Sequence, residues 1–252
     1  MSSAERPLAE GAALPEAPVA LVSGADRGLG LALTEGLLRA GWRVFAGQYM
    51  ADWPELAKLQ QQYGESLVLV PLDVGDTVSV RVAAAEMARL TERLDLLISN
   101  AGIGSREGDL ESGLDYAAIE NTYNVNTLGL LRLVEAMLPL LERSTLKRIA
   151  IVSSEAGCIT LAHRDSGFGY GMSKAALNMV ARLLFNDLRP QGYTFRLYHP
   201  GWMNGYMSGS KGTHGDMEPE EAAVPALAYF TGDREDEDRL ALVDYMGSEW
   251  PF

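Results

Sequence analysis

Short apolar runs alternate with helix-patterned stretches along most of the chain, and this alternation constrains the fold more than any other feature. Val19-Ala20-Leu21-Val22, Arg43-Val44-Phe45-Ala46, Ser66 to Val70, Asp95 to Ser99, Arg148 to Val152 and Thr194 to Tyr198 read as strands, with Leu240 to Val243 a candidate seventh. Apolar strands without polar alternation are buried on both faces, as in a parallel sheet covered by helices. Between them, Leu29 to Ala40, Trp53 to Tyr63, Val78 to Leu94, Ala117 to Leu141 and Tyr170 to Arg189 carry helical apolar spacing. Regular β-α alternation with no internal repeat and no linker-like break predicts one doubly wound α/β domain over residues 18–252. Its parallel sheet should have about seven strands, with helices on both faces. Residues 1–17 are rich in Ala, Glu, Pro and Gly and are expected to form a disordered leader. The charge run Asp233 to Asp238 is expected to be a solvated loop.

Composition removes several classes of function. A net charge of −13 over 252 residues argues against a nucleic-acid surface and against an anionic membrane surface. It leaves room for a local positive pocket around a phosphate. One cysteine, Cys158, excludes an intrachain disulfide and points to a reducing, cytoplasmic setting. Cys158 itself reads as a small buried residue. No apolar stretch approaches the ~20 residues that span a bilayer, and the N-terminus lacks a basic segment followed by an apolar core. His163, His199 and His214 have no metal-ligand spacing, so no metal is expected.

The first strand runs into Ser23-Gly24-Ala25-Asp26-Arg27-Gly28-Leu29-Gly30. Three glycines at a strand-to-helix junction permit a tight turn, close backbone approach to a pyrophosphate, and tight helix–strand packing. The helix start presents free N–H groups and a partial positive charge to phosphate. The pattern is expected to be a phosphate-binding turn.

The spacing Gly-x-x-x-Gly-x-Gly resembles that of the short-chain dehydrogenase/reductase family, and further matches follow in order. Asp73-Val74 resembles the family's adenine-contacting pair, and Ser99-Asn100-Ala101-Gly102 its Asn-Asn-Ala-Gly signature. Asn126-Thr127-Leu128-Gly129 resembles its helix motif. Ser153-Ser154, Tyr170-Gly171-Met172-Ser173-Lys174 and Pro200-Gly201 complete the series. The ending Leu242 to Pro251 is similar to that of carbonyl-reductase-like members. The resemblance covers about residues 18 to 252 and implies a nicotinamide-dependent oxidoreductase of CH–OH and C=O groups. It implies cofactor contacts from Gly24, Asp26, Arg27, Gly28, Leu29, Gly30, Tyr49, Asp73, Val74, Asn100, Ala101, Gly102, Tyr170, Lys174, Pro200, Gly201 and Met203.

An acid at the end of the second strand would bind a ribose 2′-hydroxyl and signal NAD. Here the stretch is Ala46-Gly47-Gln48-Tyr49, with Asp52 too far along. Arg27 resembles the basic residue of NADP-preferring members, and a guanidinium suits a 2′-phosphate. NADP is the preferred cofactor, with NAD still open, because a second basic residue near Tyr49 is lacking.

Tyr170 and Lys174 are four apart and share a helix face. Lowering a phenol from ~10 to ~7 takes about 4 kcal/mol. An ammonium at ~4 Å and an effective dielectric of ~20 supplies about that much. By resemblance, Tyr170 is the acid/base, Lys174 its electrostatic support, and Ser154 the residue that binds the substrate oxygen, with Ser153 a neighbouring candidate. Asn126 is expected to hold a water in a proton relay. The expected reaction is reduction of a carbonyl, or its reverse, on a small molecule. A homodimer or homotetramer through the two long helices is expected too.

The chain departs from the family pattern at Gly205, where many relatives carry a threonine for the nicotinamide carboxamide. Asn204 or Ser208 could replace it, or the contact is missing. The Gly-rich segment up to Gly215 is either a lid or a plain loop. Trp202, Met203, Tyr206, Met207 and Phe168 line an apolar pocket, or belong to the core or an interface. The rival reading is a catalytically silent nucleotide-binding regulator on the same fold. A sugar-nucleotide epimerase and an enoyl reductase fit less well, on glycine spacing and on Tyr–Lys spacing respectively.

Overall fold

The computed structural model describes residues 16–207 and 211–252, so most of the expected leader, and Ser208, lie outside the described residues. The first half runs β1 (Val19–Val22), α1 (Gly28–Arg39), β2 (Arg43–Gln48), α2 (Glu55–Tyr63), β3 (Leu67–Pro71), α3 (Thr77–Leu90) and β4 (Leu96–Ser99). A small hairpin, β5 (Gly108–Asp109) and β6 (Gly113–Leu114), leads to α4 (Tyr116–Tyr123) and α5 (Gly129–Leu141). Then come β7 (Arg148–Val152), α6 (Phe168–Leu188), β8 (Thr194–His199), α7 (Pro219–Thr231), β9 (Leu242–Asp244) and β10 (Glu249–Trp250).

The main sheet has eight strands in the order β10-β9-β8-β7-β4-β1-β2-β3. All pair parallel except β10, which runs antiparallel to β9 through Glu249↔Val243 and Trp250↔Leu242. Every residue of β1, β4 and β7 is buried. Alternate strand residues enter two separate cores: Leu21, Leu97 and Ile149 pack with α3, α5 and α6, while Ala20, Val22, Ile98 and Ala150 pack with α1, α2 and α7. Two apolar faces need two apolar sides of each strand, which is why the runs show no polar alternation. Strand order reverses between β1 and β4, and the crevice at their carboxyl ends is where such sheets hold ligands.

Three features differ from the sequence reading. The hairpin β5–β6 and the edge strand β10 are two-residue strands with no apolar pattern to announce them. Helix α7 contains Pro225, which argues against a helix interior, yet a capping box between Glu218 and Glu221 and Pro219 in the first turn start it. α7 packs so closely on α1 that a Cβ at Gly36 would lie 2.2 Å from Leu227 Cδ1. The run Asp233 to Asp238 is more than a solvated loop. Buried Arg196 bonds Glu237 Oε2 at 2.6 Å, and buried Arg148 bonds Asp233 Oδ1 at 3.1 Å. Both guanidinium groups also donate to the last carbonyls of α7 and to Gly232, where a helix carries partial negative charge. No helix among the described residues is long and apolar enough to cross a membrane.

Candidate active site

Gly24 and Gly28 follow β1 with φ of +64° and +57°, a region that side-chained residues avoid. Gly30 is required by space: a Cβ there would lie 2.1 Å from the Gly24 carbonyl oxygen. At Gly28 a Cβ would meet Tyr206 Cδ2 at 3.7 Å, an ordinary contact, so among the described residues only that ring stands over this face of the turn. α1 begins at Gly28 with no side-chain cap and no acid in its first turn. Uncapped N–H groups and the helix dipole over a bare turn fit a dinucleotide's pyrophosphate. Across the crevice, Asn100 donates to the carbonyls of Ser23 and Gly24 at 2.9 and 3.1 Å, and the N–H groups of Asn100 and Ala101 donate to Ser23 Oγ. Gly102 sits against Asn126, where a Cβ would approach Oδ1 to 3.3 Å.

Asp26 is buried, and its carboxylate accepts the N–H groups of Tyr49 and Met50 at 3.1 and 2.9 Å, clamping the loop after β2. Tyr49 is exposed at the end of β2, and Asp52 is exposed further along. Arg27 and Leu29 flank Gly28, with Leu29 buried on the α1 side. Asp73 accepts the Gly75 N–H at 2.8 Å, and Val74 packs on Gly129, whose Cβ would come within 3.0 Å of it.

Ser154, Tyr170 and Lys174 come together at the carboxyl end of β7. Ser153 faces inward and donates to Asn178 Oδ1 at 2.6 Å, which leaves Ser154, itself buried, as the serine that faces Tyr170. Ser154 Oγ accepts from the Ala156 N–H at 3.1 Å and donates to Glu155 Oε2 at 2.5 Å. Burial opposes ionisation of Glu155, but its bonds with Ser154 and Arg164 outweigh burial and hold its carboxyl below the usual range. Lys174 Nζ donates to the Val152 carbonyl at 3.0 Å and lies 5.8 Å from the Tyr170 ring centroid. Burial lowers the Lys174 pKa to about 8. Burial raises the Tyr170 phenol; facing Ser154 offsets this in part, and the Glu155 charge adds to it. The expected Coulomb gain assumed about 4 Å between the charges. Burial of the phenol works against that gain.

Asn126 lies in a π turn, Asn124–Leu128, between α4 and α5. Its amide accepts from the Ile103 N–H at 2.8 Å and donates to the Ile103 carbonyl and to Ser173 Oγ at 2.9 and 3.0 Å. The side chain thereby ties the loop after β4 to α6. That helix has no side-chain cap at Gly167; instead buried Glu107 accepts the Gly169 N–H at 3.2 Å.

Pro200, Gly201 and Met203 follow β8, with Pro200 buried and a Cβ at Gly201 excluded by Tyr245 at 2.7 Å. The segment beyond is a looped excursion with a bonded neck. Met203 bridges Met217, Asp216 N–H donates to the Trp202 carbonyl at 2.9 Å, and Lys211 pairs with Glu218 at 2.7 Å. Asn204 spends its amide on that neck, donating to Glu218 Oε1 at 2.6 Å and accepting from Gly215 N–H at 2.7 Å. Both ends of its amide thus serve the neck beside Gly205. Trp202 and Met207 are exposed, Met203 packs on the core, and Phe168 lines a cavity of about 360 Å³ with Ile159, Leu161, Arg164 and Trp250. Glu155, Arg164 and Glu107 were not singled out by the sequence reading, and His199 was weighed there only as a metal ligand. Only Glu155 carried a signal, its adjacency to Ser154. His199 is buried with Nδ1 unpartnered, and its pKa is lowered by burial.

Comparison with known proteins identifies the family. A model of the short chain dehydrogenase family matches residues 18–215. The C-signal protein of Myxococcus xanthus is 38% identical over 163 residues, covering 64% of this chain and 95% of that protein. A 1-hydroxy-2-glutathionyl-2-methyl-3-butene dehydrogenase of Rhodococcus sp. (strain AD45) is 33% identical over 208 residues, covering 81% of this chain and 86% of its own. The NADPH-bound carbonyl reductase from chicken fatty liver is 30% identical with a TM-score of 0.82, covering 94% of this chain and 99% of its own. The chain belongs to the short chain dehydrogenase family and is an NAD(P)-dependent oxidoreductase acting on CH–OH and C=O groups.

Proposed function

We propose that the protein reduces a small-molecule carbonyl to an alcohol with NADPH, or runs the reverse reaction, with Tyr170 as the general acid/base. The observation that carries this reading is the meeting of Ser154, Tyr170 and Lys174 beside the bare glycine turn. The nicotinamide supplies the hydride. Tyr170 gives its proton to the developing alkoxide, and Ser154 orients that oxygen. Lys174, held by the Val152 carbonyl, favours the phenolate that follows and can return a proton to it. Asn126 has committed its side-chain groups, so its contribution to a water relay is through the main chain of the π turn. Arg27 and the absence of an acid at the end of β2 favour the 2′-phosphate of NADP, and the carbonyl reductase from chicken fatty liver carries NADPH. The cavity beside Phe168 and Trp250 suits the apolar part of a substrate.

Tyr170→Phe should cut turnover on a panel of aldehydes, ketones and diketones by at least ~10²-fold while NADPH binding, read by its fluorescence, survives. Retained turnover would refute the role. We also propose a homodimer or homotetramer built on α4–α5 and α6, supported by the exposed Met172, Met179 and Leu183 on one face of α6.

A further inference from the structure

Three segments distant in sequence meet around one guanidinium. Arg27, from the glycine turn, has its Cζ 4.8 Å from the ring centroid of Trp53 and 4.9 Å from that of Tyr206. Trp53 belongs to the loop after β2, and Tyr206 to the segment after β8. The two rings also touch each other edge-on, with centroids 5.5 Å apart at 78°. Aromatic rings engage a guanidinium through its cationic plane and leave its N–H edge available. Among the described residues Arg27 donates no hydrogen bond and pairs with no carboxylate. Asp26, the adjacent acid, is occupied by the N–H groups of Tyr49 and Met50. A fixed guanidinium with its donors uncommitted, beside a bare phosphate turn, is suited to a phosphate monoester. The Tyr206 ring also stands over Gly28, 3.7 Å from where a Cβ would be.

We propose that Trp53 and Tyr206 are specificity-determining positioning residues: they form an aromatic pincer that holds Arg27 toward the nucleotide's 2′-phosphate and couples the loop after β8 to that phosphate. The proposal rests on the assignment of Arg27 to the 2′-phosphate. It goes further in naming what orients the guanidinium and in linking that end of the site to the substrate-side loop. Flexible arginines lose rotamer freedom on binding, and a pincer removes that freedom beforehand. The closed neck made by Met203, Met217 and Asn204 seats Tyr206 at a definite place.

The test is binding, read by enhancement of reduced-nicotinamide fluorescence, with no turnover needed. Trp53→Leu and Tyr206→Leu should each weaken NADPH about fivefold and NADH less than twofold. Tyr206→Phe, which keeps the ring, should bind NADPH like the parent. In an Arg27→Ala background the Trp53→Leu effect should vanish, because the pincer then has nothing to hold. Circular dichroism melts identify any variant that has lost its fold, and whichever of Trp53→Leu and Tyr206→Leu stays folded then carries the comparison. Equal weakening of NADPH and NADH by Trp53→Leu and Tyr206→Leu, or no weakening at all, overturns the pincer while an Arg27→Ala selectivity loss keeps the NADP assignment standing. Equal effects of Arg27→Ala on both nucleotides overturn that assignment itself. Limited proteolysis of the segment 202–217 reads the coupling: NADPH should protect it more than NADH in the parent and equally in Tyr206→Leu. Equal protection in the parent overturns the coupling.

Discussion

A lysine buried among apolar groups gives up part of its charge preference, and Lys174 is such a lysine. Its pKa falls to about 8 from the ordinary value near 10.5 because burial disfavours the ammonium. Between those two values the unfolded chain holds the proton and the folded one has released it, so stability rises with pH there. Below about 8 both states are charged and the burial cost is paid in full. Lys174→Met should therefore be more stable than the parent at pH 7, by on the order of 3 kcal/mol at most. Chemical denaturation should show that advantage shrinking as pH rises toward 10. A constant advantage across that range would place the proton elsewhere. Glu155 and Arg164 offer a second lever, because they act on the Tyr170 phenol with opposite signs. Glu155→Gln should move the ionisation that limits alcohol oxidation to lower pH, and Arg164→Ala to higher pH. Both shifts are read in the pH profile of kcat/KM. Two shifts in the same direction would separate this ion pair from the reacting phenol.

At the scale of elements, close packing governs which residues are replaceable. The start of α1 depends on Gly30, where a side chain would strike the Gly24 carbonyl and Asn100 Nδ2 at 2.1 and 2.5 Å. Both are held by the turn itself, so neither can give way cheaply. Gly30→Ala should lower the melting temperature by several degrees, for a loss of roughly 1–3 kcal/mol, and weaken both NADPH and NADH. Unchanged binding would mean that the turn is softer than its hydrogen bonds indicate. Toward the amino end of β8, Glu237 neutralises a fully buried Arg196. Glu237→Ala leaves that charge buried with carbonyl partners alone and should cost about 3 kcal/mol, seen as a lower denaturation midpoint, with KM unchanged because the site is at the other end of the strands. The helix α6 carries both Tyr170 and Lys174, and its start is fixed from outside itself by Glu107.

For the whole molecule, the exposed face of α6 is the feature that one chain leaves unsatisfied. Met172, Met179 and Leu183 are each 59% exposed and recur at helical spacing. Burying them against a second copy is the economical solution, and sedimentation velocity should show a dimer or tetramer that Met179→Glu dissociates. A parent that sediments as a monomer would refute the assembly. Much of the architecture was legible in advance. Apolar strands and amphipathic helices alternate because a doubly wound sheet requires it, and the glycines at 24, 28 and 30 mark positions where backbone geometry tolerates nothing larger. That Tyr170 and Lys174 share one helix was legible from their four-residue spacing. What pattern alone could not supply were the contacts between segments far apart in sequence: Asn126 with Ile103 and Ser173, Asn204 committed to the loop neck, and the charge run sealing Arg148 and Arg196. Periodicity reports the local environment of a segment along its own axis, so it determines element type and sidedness. Which partner a polar group meets, and how far burial shifts its proton, depends on packing across the sheet, and that the tertiary structure alone decides.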